Sequence, residues 1–269
     1  MNIYQRALKL EEQNKPYVIA TVISSEGSVP GKPGFKMLIE SESTTIGTVG
    51  GGAIEKQIIT ESLSLLQSGS NILREYLLSD NAIQENVTET VVPMMCSGKV
   101  TVFYEVHGQK ANVFVFGGGH VGQALLYYLR PLGFHTVLID NRPEFANKEV
   151  NLNADEYVLA DYVEYTNKFQ AADNSYAVIV THGHRYDNDI LKILYKRKLK
   201  LLYIGVISSK AKAGRLIEGV KNDIPDADLS ILHTPIGLSI GGDSAAEIAL
   251  SIAAEIQSVK YGVKAPNLK

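Results

Sequence analysis

Asn112-Val113-Phe114-Val115-Phe116-Gly117-Gly118-Gly119-His120-Val121-Gly122 decides how the second half of this chain folds. Residues 112–116 form a short apolar run of the kind that makes a buried parallel strand. Residues 117–122 then read G-x-G-x-x-G. Val121, Ala124, Leu125, Tyr128, Leu129 and Leu132 follow at helical spacing. A second strand is predicted over 134–139, ending at Asp140, where a ribose-binding acid belongs in a dinucleotide-binding unit. The glycines have separate physical reasons. Gly117 allows a tight turn, Gly119 lets a phosphate approach the backbone, and Gly122 permits close packing of helix on strand. The helix start offers free N–H groups and the positive end of the dipole to that phosphate.

Outward from this unit, strands and helices alternate. Strands are predicted over 156–160, 176–181, 201–204 and 231–233, and helices over 187–195, 209–219 and 244–256. This alternation implies a doubly wound parallel sheet with helices on both faces and loops collected at one edge. The preceding half is mixed. Helices are predicted over 3–10 and 53–66, and strands over 17–24, 35–39, 44–49 and 100–106. The polar stretch His107-Gly108-Gln109-Lys110 separates the halves. The expected architecture is α/β: an α+β domain over 1–108, then a larger Rossmann-like domain over 109–269.

The chain has 269 residues, 45% hydrophobic and 20% charged, with a formal net charge of -3. That balance gives no electrostatic case for nucleic acid, and no apolar run reaches the length of a membrane span. The first residues open an amphipathic helix and do not resemble a signal peptide. A single cysteine, Cys96, excludes an intramolecular disulfide framework. These features place the expected protein in the cytoplasm, with a two-fold dimer as the default assembly.

Four loops carry candidate chemistry. Gly50-Gly51-Gly52 precedes a helix and can cradle an anion on its N–H groups, or can be a turn that needs positive φ. Cys96, followed by Ser97 and Gly98, is a candidate thiolate for a soft metal or for sulfur. Thr181-His182-Gly183-His184 ends a predicted parallel strand, where His182 and His184 suit acid–base work and Asp187 could cap the next helix. Gly241 and Gly242 precede Ser244-x-x-Glu247, a capping-box pattern. Lys210 and Lys212 also stand at a helix start, where cations oppose the dipole unless an anion is near.

In this order, the segments resemble the XdhC/CoxI family of xanthine dehydrogenase accessory proteins. The resemblance runs through 24–34, Gly50 to Glu55 and the Cys96 loop, then through 116–122, 140–143, 181–184, 203–205 and 235–247. It implies a chaperone that binds molybdenum cofactor (a molybdopterin) and assists its sulfuration and delivery. The client is then a molybdenum hydroxylase such as xanthine dehydrogenase, with a cysteine desulfurase as a possible sulfur source. On this resemblance Cys96 contacts molybdenum, and Gly50–Gly52 with Gly241 and Gly242 hold the pterin phosphate or shape the cleft. Gly117, Gly119 and Gly122 form a phosphate turn, while His182 and His184 line a cleft between the domains. The chain departs from the family pattern in having Cys96-Ser97-Gly98 for Cys-Gly-Gly and Ile207-Ser208-Ser209 for Ile-Gly-Ser. The alternative reading is an NAD(P)-dependent oxidoreductase. There Asp140 takes the ribose 2′-OH or Arg142 a 2′-phosphate, and His182 or His184 moves the proton.

Overall fold

The computed structural model describes residues 2–79, 90–94 and 97–263, apart from the side chains of His184 and Arg185. The chain divides into two compact units, Met1–Gln109 and Lys110–Lys269.

The first unit contains α1 (Ile3–Glu12), β1 (Tyr17–Gly27), β2 (Lys36–Ser41), β3 (Thr44–Gly47), α2 (Gly52–Ser68), β4 (Ile72–Ser79), β5 (Thr90–Pro93) and β6 (Gly98–His107). Its six strands run in the order β3-β2-β1-β6-β4-β5. Neighbours are antiparallel except β4 and β5, which pair in parallel. Side chains alternate across the sheet, as the two-residue period of a strand requires. Val18, Ala20, Val22, Met37 and Ile39 share a core with Ile54, Ile58 and Leu65 of α2. Tyr17, Ile19 and Leu38 point the other way, to Leu10 of α1.

β4 and β5 have no counterpart among the strands predicted from sequence, for a physical reason. The first half of β4 carries Arg74 and Glu75 and is exposed, so it has no two-residue apolar period. β5 has only four residues and ends in Pro93, which an edge strand tolerates because no further ladder calls for the N–H that proline lacks.

The second unit contains β7 (Asn112–Phe116), α3 (His120–Leu129), β8 (His135–Asp140), β9 (Glu156–Leu159), α4 (Tyr162–Lys168), β10 (Ser175–Ile179), α5 (His184–Lys196), β11 (Leu201–Val206), α6 (Lys210–Asp223), β12 (Leu232–His233) and α7 (Ala245–Lys260). The strands form one parallel sheet in the order β12-β11-β10-β7-β8-β9. Val113 and Val115 pack with Leu125 and Leu129 of α3 and Ile252 and Ile256 of α7. Phe114 and Phe116 face the opposite core, with Tyr162, Ile190, Leu194 and Val220 from α4, α5 and α6. The expected α/β architecture with a parallel, doubly wound second half is therefore observed. From β7 the chain runs first to β8 on one side and later to β10 on the other, so β7 marks the switch point where such sheets bind ligands. Among the described residues, no helix is long and apolar enough to cross a membrane.

Candidate functional site

The glycine turn after β7 is shaped by close backbone approaches. Gly117 has φ +114°, and a Cβ there would lie 2.5 Å from the Val180 carbonyl oxygen. A Cβ on Gly122 would lie 1.9 Å from the Gly117 carbonyl oxygen. These two glycines let the end of β10 and the first turn of α3 press against the loop. Gly119 differs: a Cβ there would meet only the Arg142 guanidinium, at 4.0 Å. Gly119 is the N-cap of α3, and no side chain caps that helix. The first-turn N–H groups, which have no partner within a helix, therefore start beside an arginine.

Asp140 does not offer itself to a ribose. Its side chain is fully buried. One oxygen accepts from the Arg142 backbone N–H (3.0 Å) and Nε (2.9 Å). The other accepts from the Gly118 N–H (2.8 Å) and Arg142 Nη2 (2.8 Å). A carboxylate has about four acceptor positions, and all four are used. Burial by itself would raise the Asp140 pKa, but the hydrogen bonds from Arg142 and Gly118 outweigh it and hold the carboxyl below its usual range. In this structure Asp140 serves the turn itself, joining Gly118 to Arg142. Arg142 stacks on Phe145, 3.9 Å from its centroid. Asn151, also buried, ties this segment to the turn by donating to the Gly118 (3.2 Å) and Phe145 (2.7 Å) carbonyls.

The loop after β10 completes the edge. Gly183 is the N-cap of α5, with no side-chain cap, so Asp187 does not cap this helix. Asp187 is buried and accepts from the Thr181 hydroxyl. His182 is exposed, its ring 5.5 Å from that of Tyr186. His184 begins α5, and its side chain lies outside the described residues. Gly119, His120, Arg142, Thr181, His182 and Ile207 all line one cleft of about 320 Å³. Spacing alone does not single out His120 or Thr181 as site residues. His120 sits at a variable position of the fingerprint, and Thr181 acts through a side chain six residues away. Among the described residues no His, Cys, Asp and Glu cluster could hold a metal ion.

In the first unit, three loops meet at one end of the sheet. A Cβ on Gly50 would lie 2.7 Å from the Gly31 nitrogen, and one on Gly27 2.7 Å from the Ser97 carbonyl oxygen. A Cβ on Gly52 would meet the Met94 methyl at 3.3 Å. Cys96 itself lies outside the described residues, between Met94 and Ser97. The anion at the Gly50–Gly52 turn is the chain's own: Glu55 accepts from the Val49 (3.1 Å) and Gly51 (2.9 Å) N–H groups and from Thr48. In the sequence Glu55 reads as an ordinary first-turn acid, with no sign of this role.

The Gly241–Gly242 loop repeats this device. Glu247 accepts from the Asp243 (3.2 Å) and Ser244 (3.0 Å) N–H groups, within a full capping box on α7. Gly242 has φ +95°, and a Cβ there would collide with Glu247 at 2.5 Å. In the same unit, Glu255 of α7 is a buried hub. It accepts from the Tyr203 hydroxyl (2.6 Å), the Gly237 N–H (2.9 Å) and His233 Nδ1 (3.1 Å). Burial would raise the Glu255 pKa, but His233, Tyr203 and the Gly237 N–H together lower it.

Comparison with known proteins bears on both units. Residues 10–76 match the model of the XdhC and CoxI family, and residues 113–256 match the XdhC Rossmann domain. An uncharacterized Escherichia coli (strain K12) protein, YqeB, is 30% identical over 264 residues, covering 97% of this chain. The chain spans only 46% of that relative's length. A Bacillus subtilis (strain 168) protein, named as a probable subunit of xanthine dehydrogenase, is 24% identical, covering 92% of this chain and 94% of its own. A crystal structure described as a xanthine dehydrogenase from Bacillus halodurans superposes with a TM-score of 0.53 at 22% identity. It covers 98% of this chain and 97% of its own, and supports the fold alone. The Rossmann-domain match by itself takes in more than half of the 269 residues, and the chain belongs to the XdhC and CoxI family.

Proposed function

We propose that this protein is an accessory factor for a molybdenum hydroxylase of the xanthine dehydrogenase type, binding molybdenum cofactor and assisting its sulfuration and insertion. The observation that carries this reading is the ordered match of both halves of the chain to XdhC-family domains. The name of the Bacillus subtilis relative supports the choice of client.

The fit of an anionic pterin differs among the three glycine turns. At Gly50–Gly52 and at Gly241–Gly242, neighbouring N–H groups already serve Glu55 and Glu247. Those turns shape backbone more readily than they hold a second anion. At the start of α3, Gly119 leaves space, no side chain caps the helix, and Arg142 is at hand. The α3 start with Arg142 would hold the pterin phosphate, with His182 beside it and His184 nearby in sequence. When bound, the cofactor supplies the metal that the client enzyme uses. The chain's own residues bind the phosphate and fix Arg142 through Asp140, and Cys96 of the first unit is the proposed soft ligand for molybdenum or sulfur. A cysteine desulfurase as sulfur donor and a homodimer belong to the same proposal.

The test is to express the chain with cofactor synthesis intact and assay copurifying molybdenum and pterin. Wild type should retain both. Arg142→Gln should lose pterin, and Cys96→Ala should lose sulfurated cofactor. A wild-type protein that carries neither metal nor pterin would overturn the proposal. For the oxidoreductase alternative, all four acceptor positions of Asp140 serve Gly118 and Arg142, which favours Arg142 and a 2′-phosphate over Asp140 and a 2′-hydroxyl as the contact to test.

A further inference from the structure

We propose that the second unit carries a further anion pocket, at Lys212 and Arg215, that takes a small phosphorylated molecule with an apolar body. The pocket is a cavity of about 310 Å³ at the carboxyl edge of the sheet, between α5 and α6. Ile207 and Leu216 form its apolar walls, and Ser208 and Asn188 give it polar ones. Ile207 also lines the cleft beside Gly119, so the pocket extends that cleft, yet no described residue of the glycine turn lines it.

The charge pattern points to the ligand class. Two cations, Lys212 and Arg215, line the cavity. Arg215 is exposed and, among the described residues, makes no ion pair or hydrogen bond. The one carboxylate in the lining, Asp187, is buried and accepts from the Thr181 hydroxyl. The Ser208 hydroxyl is held in place by that of Thr234, 2.9 Å away. A guanidinium fork, an ammonium, a hydroxyl and an amide converging on one small space suit the oxygens of a phosphomonoester. The apolar walls suit a ring or short chain, and the volume is at the small end for a ligand site.

Phenyl phosphate is the probe, titrated into the isotope-labelled full chain and followed by amide NMR shifts. The expected result is saturable shifts over 207–216, with phenol producing none. Arg215→Gln and Lys212→Gln should each weaken binding by about tenfold, the loss of one charge-assisted hydrogen bond. Arg142→Gln, in the neighbouring cleft, should leave it unchanged. Shifts confined to 117–122, or undiminished affinity in Arg215→Gln, would overturn the proposal. Arg215 is exposed, so its replacement should leave the remaining spectrum as a check on folding. Phosphate held at the α3 start reports at 117–122 and is weakened by Arg142→Gln, whereas this pocket reports at 207–216 and is weakened by Arg215→Gln, so the two sites are read separately.

Discussion

At the scale of single residues, three acids govern the glycine-rich loops. Glu55, Asp140 and Glu247 each accept backbone N–H groups from a turn that could otherwise cradle an outside anion. Asp140 is the most deeply committed. Replacing it with Asn removes the ion pair to Arg142 and two of the acceptor positions that hold the loop. Asp140→Asn should therefore cost about 2–4 kcal/mol, read from urea unfolding. The sign of the pH effect follows from the lowered pKa values of Asp140 and Glu255. A carboxyl with a depressed folded pKa contributes stability that is fully present above its unfolded value of about 4. That contribution is lost as pH falls through the folded value. Unfolding free energy should thus drop below about pH 5, and drop less steeply in Asp140→Asn. An identical acid slope in the two proteins would remove Asp140 from the account.

At the scale of elements, the start of α3 and the seating of α7 are the sensitive joints. Gly122 sits where any side chain would strike the Gly117 carbonyl. Gly122→Ala should force α3 away from β7 and cost on the order of 3 kcal/mol or more, visible as a lowered melting temperature. α7 is seated by its capping box and by Glu255, which reaches Tyr203 of β11 and His233 of β12. Glu255→Gln keeps the shape but removes the charge that His233 and Tyr203 face. It should cost roughly 2–3 kcal/mol and raise hydrogen exchange around 233–237 first. Elements of this kind are legible in the sequence to different degrees. The capping box of α7 involves residues three apart and can be read directly. The exposed first half of β4, the four-residue β5 and the seven-residue α4 cannot, because short or solvent-facing elements carry too little apolar periodicity.

At the scale of the whole molecule, each unit closes its own core, one around α2 and its sheet and the other on both faces of the parallel sheet. Residues 110–269 expressed alone should unfold in one cooperative transition, with Tyr162, Tyr176 and Tyr203 buried until it occurs. A noncooperative melt by circular dichroism would show that the core needs the first unit. By itself the sequence determined the parallel α/β character of the second half. A glycine turn between an apolar strand and an amphipathic helix is a local pattern, set by backbone sterics and hydrophobic period. It also determined which loops crowd the edge of that sheet. Only the tertiary structure decided which groups in those loops remain available to a ligand. Asp140 is spent on Gly118, 22 residues away in sequence, and on Arg142. Arg142 stands by Gly119, and Ile207 joins two pockets. Hydrogen-bond saturation is a property of three-dimensional neighbours, and residue spacing cannot report it.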